Sequence, residues 1–272
     1  MRRIRTIEDL DSLTSEEVEY VRGSIKLRDY YYKGARIMGR QTGLTLTEYE
    51  AWKAEEPTEE CRSCRGTGLW KEPQRSVGTI HASSAHTCRR RLYYDVMADR
   101  APKSEFRPEL LITFAIGHAI HDVVQKALHV ALPGKFEDEV RVDNVEAFVL
   151  NSRTDGVVEL PQARVLLEIK SIGKEFDKLT GPKEDHINQA VGIYAHSLEV
   201  PFISFLYVSK SWPYPVKEFV VPYSHKVYRK WWRRKGSKVD EAIELRSPPI
   251  ADANKNTCNQ CPYNYFCEQR FR

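Results

Sequence analysis

The fold is decided by two neighbouring stretches of sequence, Ser152-Arg153-Thr154-Asp155-Gly156 and Arg164-Val165-Leu166-Leu167-Glu168-Ile169-Lys170. Both are typical of β-strands, and the apolar run in the second stretch indicates a strand that is buried on both faces. Side chains two residues apart project from the same face of a strand, so Glu168 and Lys170 point together while Ile169 faces the core. The pattern predicts a buried central strand that carries two charged side chains side by side.

A lysine beside a glutamate at the end of a buried strand suits chemistry better than packing. Asp155 lies at a bend before this strand, and with Glu168 it supplies two carboxylates for a hard divalent cation such as Mg²⁺. Lys170 can then orient or deprotonate an attacking water and offset the negative charge that develops in the reaction. We therefore predict a metal-dependent catalytic site on these three residues.

The rest of the chain predicts an α/β fold in which a mixed central sheet is flanked by helices. Alternation of helices and strands along the chain is typical of this architecture. The expected helices lie at about 84–94, 110–131 and 183–199, and the expected strands at 136–142, 147–150, 154–160, 164–170, 202–210 and 217–221. Residues 1–80 are expected to form a helical N-terminal appendage, which leaves 81–272 as the main domain.

Composition limits the classes of protein to which the chain can belong. It has 272 residues, of which 41% are hydrophobic, and a mean hydropathy of -0.54, which predicts a soluble protein with a core. No apolar run approaches the roughly 20 residues that span a bilayer, and no secretory signal is evident. In the reducing cytoplasm expected for such a chain, cysteines favour metal ligation over disulfides.

The spacing of the charged residues carries a resemblance to a known family. Asp155, a spacer of twelve residues and then Glu168-Ile169-Lys170 resemble the PD-(D/E)XK nucleases. On the preceding helix, Gly117-His118-Ala119-Ile120-His121 resembles the Gly-x-x-x-His motif of the RecB-like branch of that family. The resemblance implies a restriction-endonuclease-like fold over roughly residues 80–272 and cleavage of DNA with Mg²⁺ or Mn²⁺. It makes His121 the histidine ligand of the metal, with His118 as the second choice.

Three further residues match this branch less closely. In the family a helix with Gln-x-x-x-Tyr follows the catalytic strand, but here four residues separate Gln189 from Tyr194. On an α-helix that spacing puts the two side chains on different faces. Gln189 is therefore assigned to the catalytic set, and Tyr194 to packing or to a weak DNA contact. Lys210, at the end of the next strand, is either a DNA contact or a solvated lysine.

Four of the six cysteines resemble a second family pattern. Cys258, Cys261 and Cys267 form a C-terminal Cys-x2-Cys-x5-Cys, and Cys88 stands alone before the nuclease core. This arrangement resembles iron–sulfur nucleases of the RecB-like group, such as the CRISPR-associated adaptation exonucleases and the AddAB-type helicase–nucleases. The resemblance implies a structural [4Fe–4S] cluster that closes the domain, and a Cys₄ zinc site is the alternative.

The two remaining cysteines lie in a glycine-containing segment, Cys61-Arg62-Ser63-Cys64-Arg65-Gly66-Thr67-Gly68. Its spacing is similar to that of a zinc knuckle, in which glycines let backbone N–H groups face the thiolates. His81 and His86 follow at a slightly longer distance than a Cys₂His₂ site requires. The segment predicts either a small zinc site on Cys61 and Cys64 or an exposed loop with two free thiols.

The segment from Lys226 to Lys238 contains seven basic residues and no acidic residue. Cations can bind phosphates and exposed rings can stack on bases, but a solvated helix face with its aromatic residues in the core has the same pattern. The candidate DNA contacts are Arg229, Lys230, Arg233 and Arg234, and the interleaved aromatic residues are Tyr223, Tyr228, Trp231 and Trp232.

These features predict a metal-dependent DNA nuclease that acts in DNA recombination or processing. Exonuclease action on single-stranded ends is favoured, because the iron–sulfur nucleases that the chain resembles mostly trim such ends. A CRISPR spacer-acquisition nuclease and a non-catalytic DNA-binding protein on a nuclease fold remain as alternatives. DNA is the expected partner, no membrane partner is expected, and a helicase or recombinase partner is compatible with the sequence.

Overall fold

A computed structural model describes residues 3–41, 79–97, 108–145, 148–259 and 261–267. Across these ranges no helix combines the length and the apolar character needed to cross a membrane. The segment 61–68, with the proposed zinc ligands Cys61 and Cys64, lies outside the described residues.

The described helices begin with three short ones near the N-terminus. They are α1 (Ile7–Asp11), α2 (Ser15–Ser24) and α3 (Leu27–Gln41). Before the first strand of the sheet come two further helices, α4 (Arg89–Met97) and the long α5 (Pro108–Ala131). Between two strands of the sheet lies α6 (Glu184–Gln189), which continues through a π-helical turn (Ala190–Tyr194) into α7 (Ala195–Ser197). The last are α8 (His225–Trp231), a second π-helical turn (Trp232–Gly236), α9 (Ser237–Glu244) and α10 (Lys255–Asn259).

The centre of the molecule is a mixed five-stranded sheet with helices around it, as the sequence predicts. Its strands are β1 (Phe136–Asp138), β4 (Gly156–Glu159), β5 (Arg164–Ile172), β6 (Phe202–Ser209) and β7 (Val216–Pro222), in the order β1-β4-β5-β6-β7. β5 and β6 are parallel, and the other neighbours are antiparallel. Val165, Leu166 and Leu167 are fully buried, so the predicted central strand is confirmed.

Two boundaries differ from the sequence-based expectation. The run expected as one strand at 136–142 divides between β1 and β2 (Arg141–Val145), and β2 pairs with β3 (Phe148–Arg153) in a separate two-stranded sheet. The break falls at Glu139, whose φ of 53° ends the extended conformation. The helix expected from about residue 84 begins at Arg89, after a 3₁₀ turn at Ala82–Ser84.

The N-terminal helices share one hydrophobic core with the sheet. Ile4 forms a parallel bridge with Ala163, beside the edge of the β4–β5 turn. The buried residues Ile7, Leu10, Val21, Ile25 and Leu27 belong to the same apolar cluster as the strands. The segment is helical over its described residues, but the expected boundary at residue 80 does not separate two cores there.

Candidate active site

Asp155 is held between α5 and β5 by three hydrogen bonds. Its Oδ2 accepts from the backbone N–H of Ile169 at 2.6 Å, and its Oδ1 accepts from Nδ1 of His121 at 3.0 Å. Its backbone carbonyl accepts from Nε2 of Gln125 at 2.9 Å. One carboxylate thus ties the helix that carries His121 to the strand that carries Glu168.

Two glycines allow the backbone to approach closely around this carboxylate. A Cβ on Gly156 would lie 2.3 Å from Cε2 of Phe136 and 2.8 Å from the carbonyl oxygen of Glu137, because β1 and β4 pair here. A Cβ on Gly117 would lie 3.3 Å from Oγ of Ser171, where α5 crosses the end of β5. Both positions therefore need glycine for spacing between elements rather than for turn formation.

Glu168 and Lys170 project from the same face of β5, as predicted. Oε1 of Glu168 lies 2.6 Å from Nζ of Lys170. The Glu168 side chain is only 2% exposed, and its Oε2 is buried without a hydrogen-bond partner among the described residues. A buried carboxylate oxygen with no donor is costly unless a cation or a water completes it.

Lys170 also reaches the helix that follows β5. Its Nζ donates to Oε1 of Gln189 at 3.3 Å, and Nε2 of Gln189 donates to Oη of Tyr194 at 3.0 Å. Tyr194 is further hydrogen-bonded to Ser152, at the end of β3. A chain of polar contacts therefore runs from the carboxylate of Glu168 through the buried Gln189 and Tyr194.

The sequence-based assignment of Gln189 and Tyr194 to different helix faces is wrong. It assumed an α-helix, whereas Ala190–Tyr194 is π-helical, with the N–H of Ala195 donating to the carbonyl of Ala190. In a π-helical turn, residues five apart come nearly one above the other. Tyr194 is 4% exposed, so it accepts a hydrogen bond from Gln189 inside the protein and is not a surface contact for DNA.

The charges of the site are strongly coupled. Burial raises the pKa of Glu168 to about 7, and the nearby Asp155 carboxylate adds to this, although Lys170 opposes it. Burial also disfavours the charge on Asp155, but His121 and Lys170 outweigh it and hold the pKa of Asp155 below its ordinary value. Two carboxylates thus share a dry environment with too little positive charge for both to ionise easily.

His121 is the histidine that belongs to this site. Burial lowers the pKa of His121, but the charge of Asp155 and the hydrogen bond to it hold the pKa above its ordinary value. When the ring is neutral with its proton on Nδ1, Nε2 has a free lone pair, which is the form that binds a metal. His118 is exposed, whereas His121 lies 3.0 Å from Asp155.

The donor set of this site fits a divalent cation. It combines a histidine whose tautomer is set by Asp155 with two carboxylates, Asp155 and Glu168, of which Glu168 has a buried, unpaired Oε2. In the side-chain arrangement described, however, no three histidine, cysteine, aspartate or glutamate side chains within the described ranges are grouped closely enough to hold a metal ion. The reason lies in the ion pairs, because Asp155 and Glu168 are each turned toward a protein cation.

The four cysteines predicted to act together line one cavity. Cys88 at the start of α4 faces Cys258, Cys261 and Cys267, and the space among them is about 400 Å³ with its open mouth included. Arg90 and Arg91 line the same cavity. The four thiols and the two arginines thus line one cavity, although the thiols are not grouped closely enough in the described arrangement to hold a metal ion.

The C-terminal segment docks on α4 through contacts that do not involve sulfur. Oη of Tyr263 donates to Oδ1 of Asp95 at 2.7 Å, and Tyr94 packs against the rings of Tyr263 and Phe266. Burial raises the pKa of Cys261, and the neighbouring Cys88 and Cys267 act in the same direction while Arg91 opposes them. Burial and its neighbours therefore favour the protonated form of the Cys261 thiol.

The basic segment follows the solvated-face alternative. Arg229, Lys230, Arg233 and Arg234 are exposed on α8 and the π-helical turn after it. Tyr223, Tyr228 and Trp231 are buried and Trp232 is half-buried, so these rings pack in the core. The exposed cations can still contact phosphates, but the buried rings cannot stack on bases.

Sequence reasoning missed Gln125 and the pair His186 and Tyr207. Gln125 lies four residues after His121, so helical periodicity places it on the same face and could have identified it. Nδ1 of His186 lies 2.7 Å from Oη of Tyr207, which also accepts from the backbone N–H of Lys183 at 3.1 Å. No sequence spacing links these two residues, because the contact depends on how α6 lies over β6.

Comparisons with known proteins give weak similarities. No family model matches the sequence, and no curated protein matches it. Among solved structures, SSO0001 is 19% identical, with 76% of this chain and 91% of that chain covered and a TM-score of 0.45. The LHK-Exo structure in complex with dAMP is 16% identical, with 62% and 92% covered and a TM-score of 0.47. A structure of the alkaline exonuclease LHK-Exo from Laribacter hongkongensis is 14% identical, with 62% and 92% covered and a TM-score of 0.46. At these values the function has to be inferred from the side chains of the site.

Proposed function

We propose that this protein is a metal-dependent DNA nuclease that hydrolyses phosphodiester bonds. The observation that carries the proposal is a cluster of four polar side chains. His121 contacts Asp155, Asp155 accepts from the backbone next to Glu168, and Glu168 contacts Lys170. Within this cluster, Oε2 of Glu168 is buried and has no hydrogen-bond partner among the described residues. Their order along the chain is that of the PD-(D/E)XK pattern, which this chain resembles. An ion pair on the fully buried Glu168 is hard to explain by stability alone, because buried ion pairs rarely stabilise a fold.

The proposed ligands of the divalent cation are Asp155, Glu168 and His121. When bound, Mg²⁺ or Mn²⁺ would polarise the phosphate and lower the pKa of a bound water. Binding requires His121 to be neutral, so uptake of the metal is expected to release a proton. Nζ of Lys170 uses two of its three donors on Glu168 and Gln189, which leaves one for a water or a phosphate oxygen.

The chemical step is the hydrolysis of a P–O bond. Water attacks phosphorus in line, the bond from phosphorus to the 3′ oxygen breaks, and that oxygen takes up a proton. Lys170 orients the attacking water and offsets the negative charge on the phosphoryl oxygens. Gln189 is a positioning residue, because it holds the Lys170 ammonium through its amide oxygen and is itself held by Tyr194.

We further propose that the enzyme trims single-stranded ends and that Cys88, Cys258, Cys261 and Cys267 hold a [4Fe–4S] cluster with a structural role. The support for exonuclease action is the resemblance to iron–sulfur nucleases. The support for the cluster is the meeting of four thiols and two arginines at one cavity. A cluster there would join α4 to the C-terminal segment across a long stretch of chain.

The test is cleavage of labelled single-stranded DNA by the purified chain with Mg²⁺ or Mn²⁺, and with the metal removed by a chelator. Linear and closed circular strands are compared, because an exonuclease degrades only the linear form. Lys170→Ala is expected to lose the activity, and Lys174→Ala, on an exposed side chain just after β5, is the matched control. Metal-independent DNA binding without cleavage would instead support the non-catalytic alternative.

A further inference from the structure

The connection between β6 and β7 presents two aromatic rings to solvent. Trp212 is 84% exposed, the highest value among the large apolar side chains in the described part of the chain, and Tyr214 is 48% exposed. Their ring centroids are 5.9 Å apart at an interplanar angle of 88°. Aromatic rings contribute much to a core when buried, so two rings left in water together call for a binding partner.

The loop that carries these rings is fixed by backbone hydrogen bonds. Ser209 donates to the carbonyl of Pro215 at 3.0 Å, and Tyr214 donates to the carbonyl of Ser211 at 2.8 Å. Tyr214 has a φ of 57°, in the left-handed region that bulky side chains rarely adopt. Such conformations are concentrated at functional sites, where the surrounding structure enforces them. The ring pair is therefore pre-oriented although it is not packed in the core.

The position of the loop relates it to the candidate active site. In the parallel pairing of β5 and β6, Lys170 is opposite Tyr207 and Ile172 is opposite Ser209. Trp212 therefore lies beyond the carboxyl end of β5, five residues past the position opposite Lys170, which is at most ~17 Å along the chain at ~3.3 Å per residue. Lys210 joins the same edge to α5, because its Nζ donates to the carbonyl of Thr113 at 3.0 Å.

The charge around the loop favours a negatively charged partner. The sequence from Val200 to Lys217 contains no aspartate or glutamate, and Lys210 comes two residues before Trp212. The Lys210 ammonium has donors beyond the one that binds Thr113. Exposed rings beside a lysine match single-stranded nucleic acid, whose bases stack on rings while the backbone carries the charge.

We propose that Trp212 and Tyr214 form a base-stacking site for single-stranded DNA, with Lys210 facing the sugar–phosphate backbone. The site rests on the proposed nuclease function and specifies its substrate, since a strand that lies on it needs unpaired bases. At ~3.4 Å per stacked nucleotide, the ring pair would engage a base within about five nucleotides of the scissile phosphate. Longer single strands should therefore bind better than those too short to reach the loop.

The first experiment measures binding rather than cleavage. The full chain, kept free of divalent ions, is titrated into labelled oligodeoxythymidylates of increasing length, and the dissociation constant is read from fluorescence anisotropy. Trp212→Ala is expected to weaken binding of long strands roughly 5- to 100-fold, the range expected for one stacked base, and Trp212→Phe to retain most of it. Tyr20→Ala is the control, since Tyr20 is 69% exposed on α2.

The second experiment locates the stacked base. A set of strands is made in which one abasic nucleotide occupies a different position in each. The wild-type chain is expected to bind one of these strands more weakly than the others. Trp212→Ala is expected to bind all of them with the same affinity. Equal affinities of wild type and Trp212→Ala would overturn the site. A change of oligomeric state on Trp212→Ala without a change in DNA affinity would also overturn it, in favour of a protein contact.

The two proposals can fail separately. If Trp212 contributes to DNA binding but no metal-dependent cleavage is observed, the proposed nuclease function is wrong and the proposed stacking site is retained. If Trp212→Ala cleaves strands of every length normally and binds them with unchanged affinity, the proposed stacking site is wrong and the proposed nuclease function is retained.

Discussion

The amide of Gln189 donates to the hydroxyl of Tyr194 at 3.0 Å, although the two residues are five apart on one helical segment. An α-helix would separate them, and the π-helical turn at Ala190–Tyr194 brings them together. A single inserted residue is commonly absorbed by such a turn, and these turns are frequent at functional sites. Gln189 and Tyr194 are one residue farther apart in sequence than in the Gln-x-x-x-Tyr pattern, and the π-helical turn allows them to stay in contact despite this.

The first prediction concerns the Tyr194 hydroxyl. Tyr194→Phe removes the acceptor for Gln189 while the ring stays buried, so the free energy of unfolding should fall by about 1 kcal/mol. Cleavage should slow several-fold because the Gln189 amide no longer holds Lys170 in one place. Chemical denaturation and single-turnover cleavage are the measurements.

Tyr93→Phe is the matched control, because Tyr93 is buried on α4 outside the site. Gln189→Ala should slow cleavage by a similar factor, and the double variant should be no worse than Gln189→Ala alone, as expected for residues that act together. Additive losses would mean that Tyr194 acts independently of Gln189.

The second prediction concerns metal binding without reference to turnover. Mn²⁺ at a hundred times its dissociation constant should stabilise the wild-type fold by ~2.7 kcal/mol, read as a rise in melting temperature. Glu168→Gln keeps the shape of the side chain but removes the buried carboxylate, so the rise should be lost. Glu175→Gln, on an exposed side chain after β5, should keep the full rise. An unchanged response of Glu168→Gln to Mn²⁺ would exclude Glu168 as a ligand.

Sequence patterns captured the parts of the site that depend on local periodicity. The strand period of two put Glu168 and Lys170 on one face of β5, where they lie 2.6 Å apart. The parts that failed depend on long-range packing or on rare backbone states. Examples are the π-helical turn before Tyr194 and the turn at Glu139 that separates β1 from β2.

The N-terminal region illustrates the same limit. Its helical character could be predicted from the sequence, but its bridge from Ile4 to Ala163 joins residues more than 150 positions apart. No pattern within the first 40 residues specifies that partner, because the pairing is set by the exposed edge next to the β4–β5 turn. The Gly-x-x-x-His motif singled out His121, which lies 3.0 Å from Oδ1 of Asp155, and its role as a metal ligand stays a prediction.

The third prediction concerns the close approach at Gly156. Gly156→Ala puts a Cβ 2.8 Å from the carbonyl oxygen of Glu137, and this backbone atom cannot move without disturbing the β1–β4 pairing. We expect a loss of ~1–3 kcal/mol in the free energy of unfolding, the usual range for overpacking. Cleavage should also fall because Asp155 is the preceding residue.

Gly173→Ala is the control for this substitution, because a Cβ there meets nothing within 4 Å. Denaturant unfolding of both variants separates the clash at Gly156 from a general effect of replacing glycine. If Gly156→Ala unfolds at the same denaturant concentration as the wild type, then β1 and β4 are farther apart than described.

The fourth prediction concerns Asp252, which fixes the start of α4 beside Cys88. Its carboxylate accepts from the Arg89 N–H at 2.7 Å and from Nζ of Lys235 at 2.6 Å. Burial opposes its charge, but Lys235 and the Arg89 N–H outweigh this and hold the pKa of Asp252 below its ordinary value of 3.8. Because the folded-state pKa is depressed, the stabilisation is complete above the ordinary pKa and is lost as the pH falls through the folded-state pKa.

Asp252→Asn should therefore cost about 1 kcal/mol at pH 7, a modest value because the group is only half-buried. The difference in stability between wild type and variant should shrink as the pH falls below about 4. Urea unfolding at pH 7 and at two acidic pH values measures this difference. A gap that stays constant into the acid range would mean that the Asp252 charge contributes nothing.

The fifth prediction concerns the four-cysteine cavity. Anaerobically purified protein should be brown and contain about four irons per chain if the thiols hold a [4Fe–4S] cluster, and one zinc with no colour if they hold zinc. Cys258→Ala should lose the metal and loosen the C-terminal segment, because a cluster bound to Cys88 would no longer reinforce the contacts of that segment with α4, such as the hydrogen bond from Tyr263 to Asp95.

The predicted signature of that loosening is faster amide hydrogen exchange in α10 than in β5, since local opening follows the least stabilised segment. Double replacement of Cys61 and Cys64 should leave the iron content unchanged, because the proposed cluster takes its four thiolates from Cys88, Cys258, Cys261 and Cys267. If Cys258→Ala keeps its full iron content, the iron is not bound in this cavity. A loss of iron with unchanged exchange in α10 would show that the tyrosine and aspartate contacts alone secure the C-terminal segment, and that the cluster serves a purpose other than closing the domain.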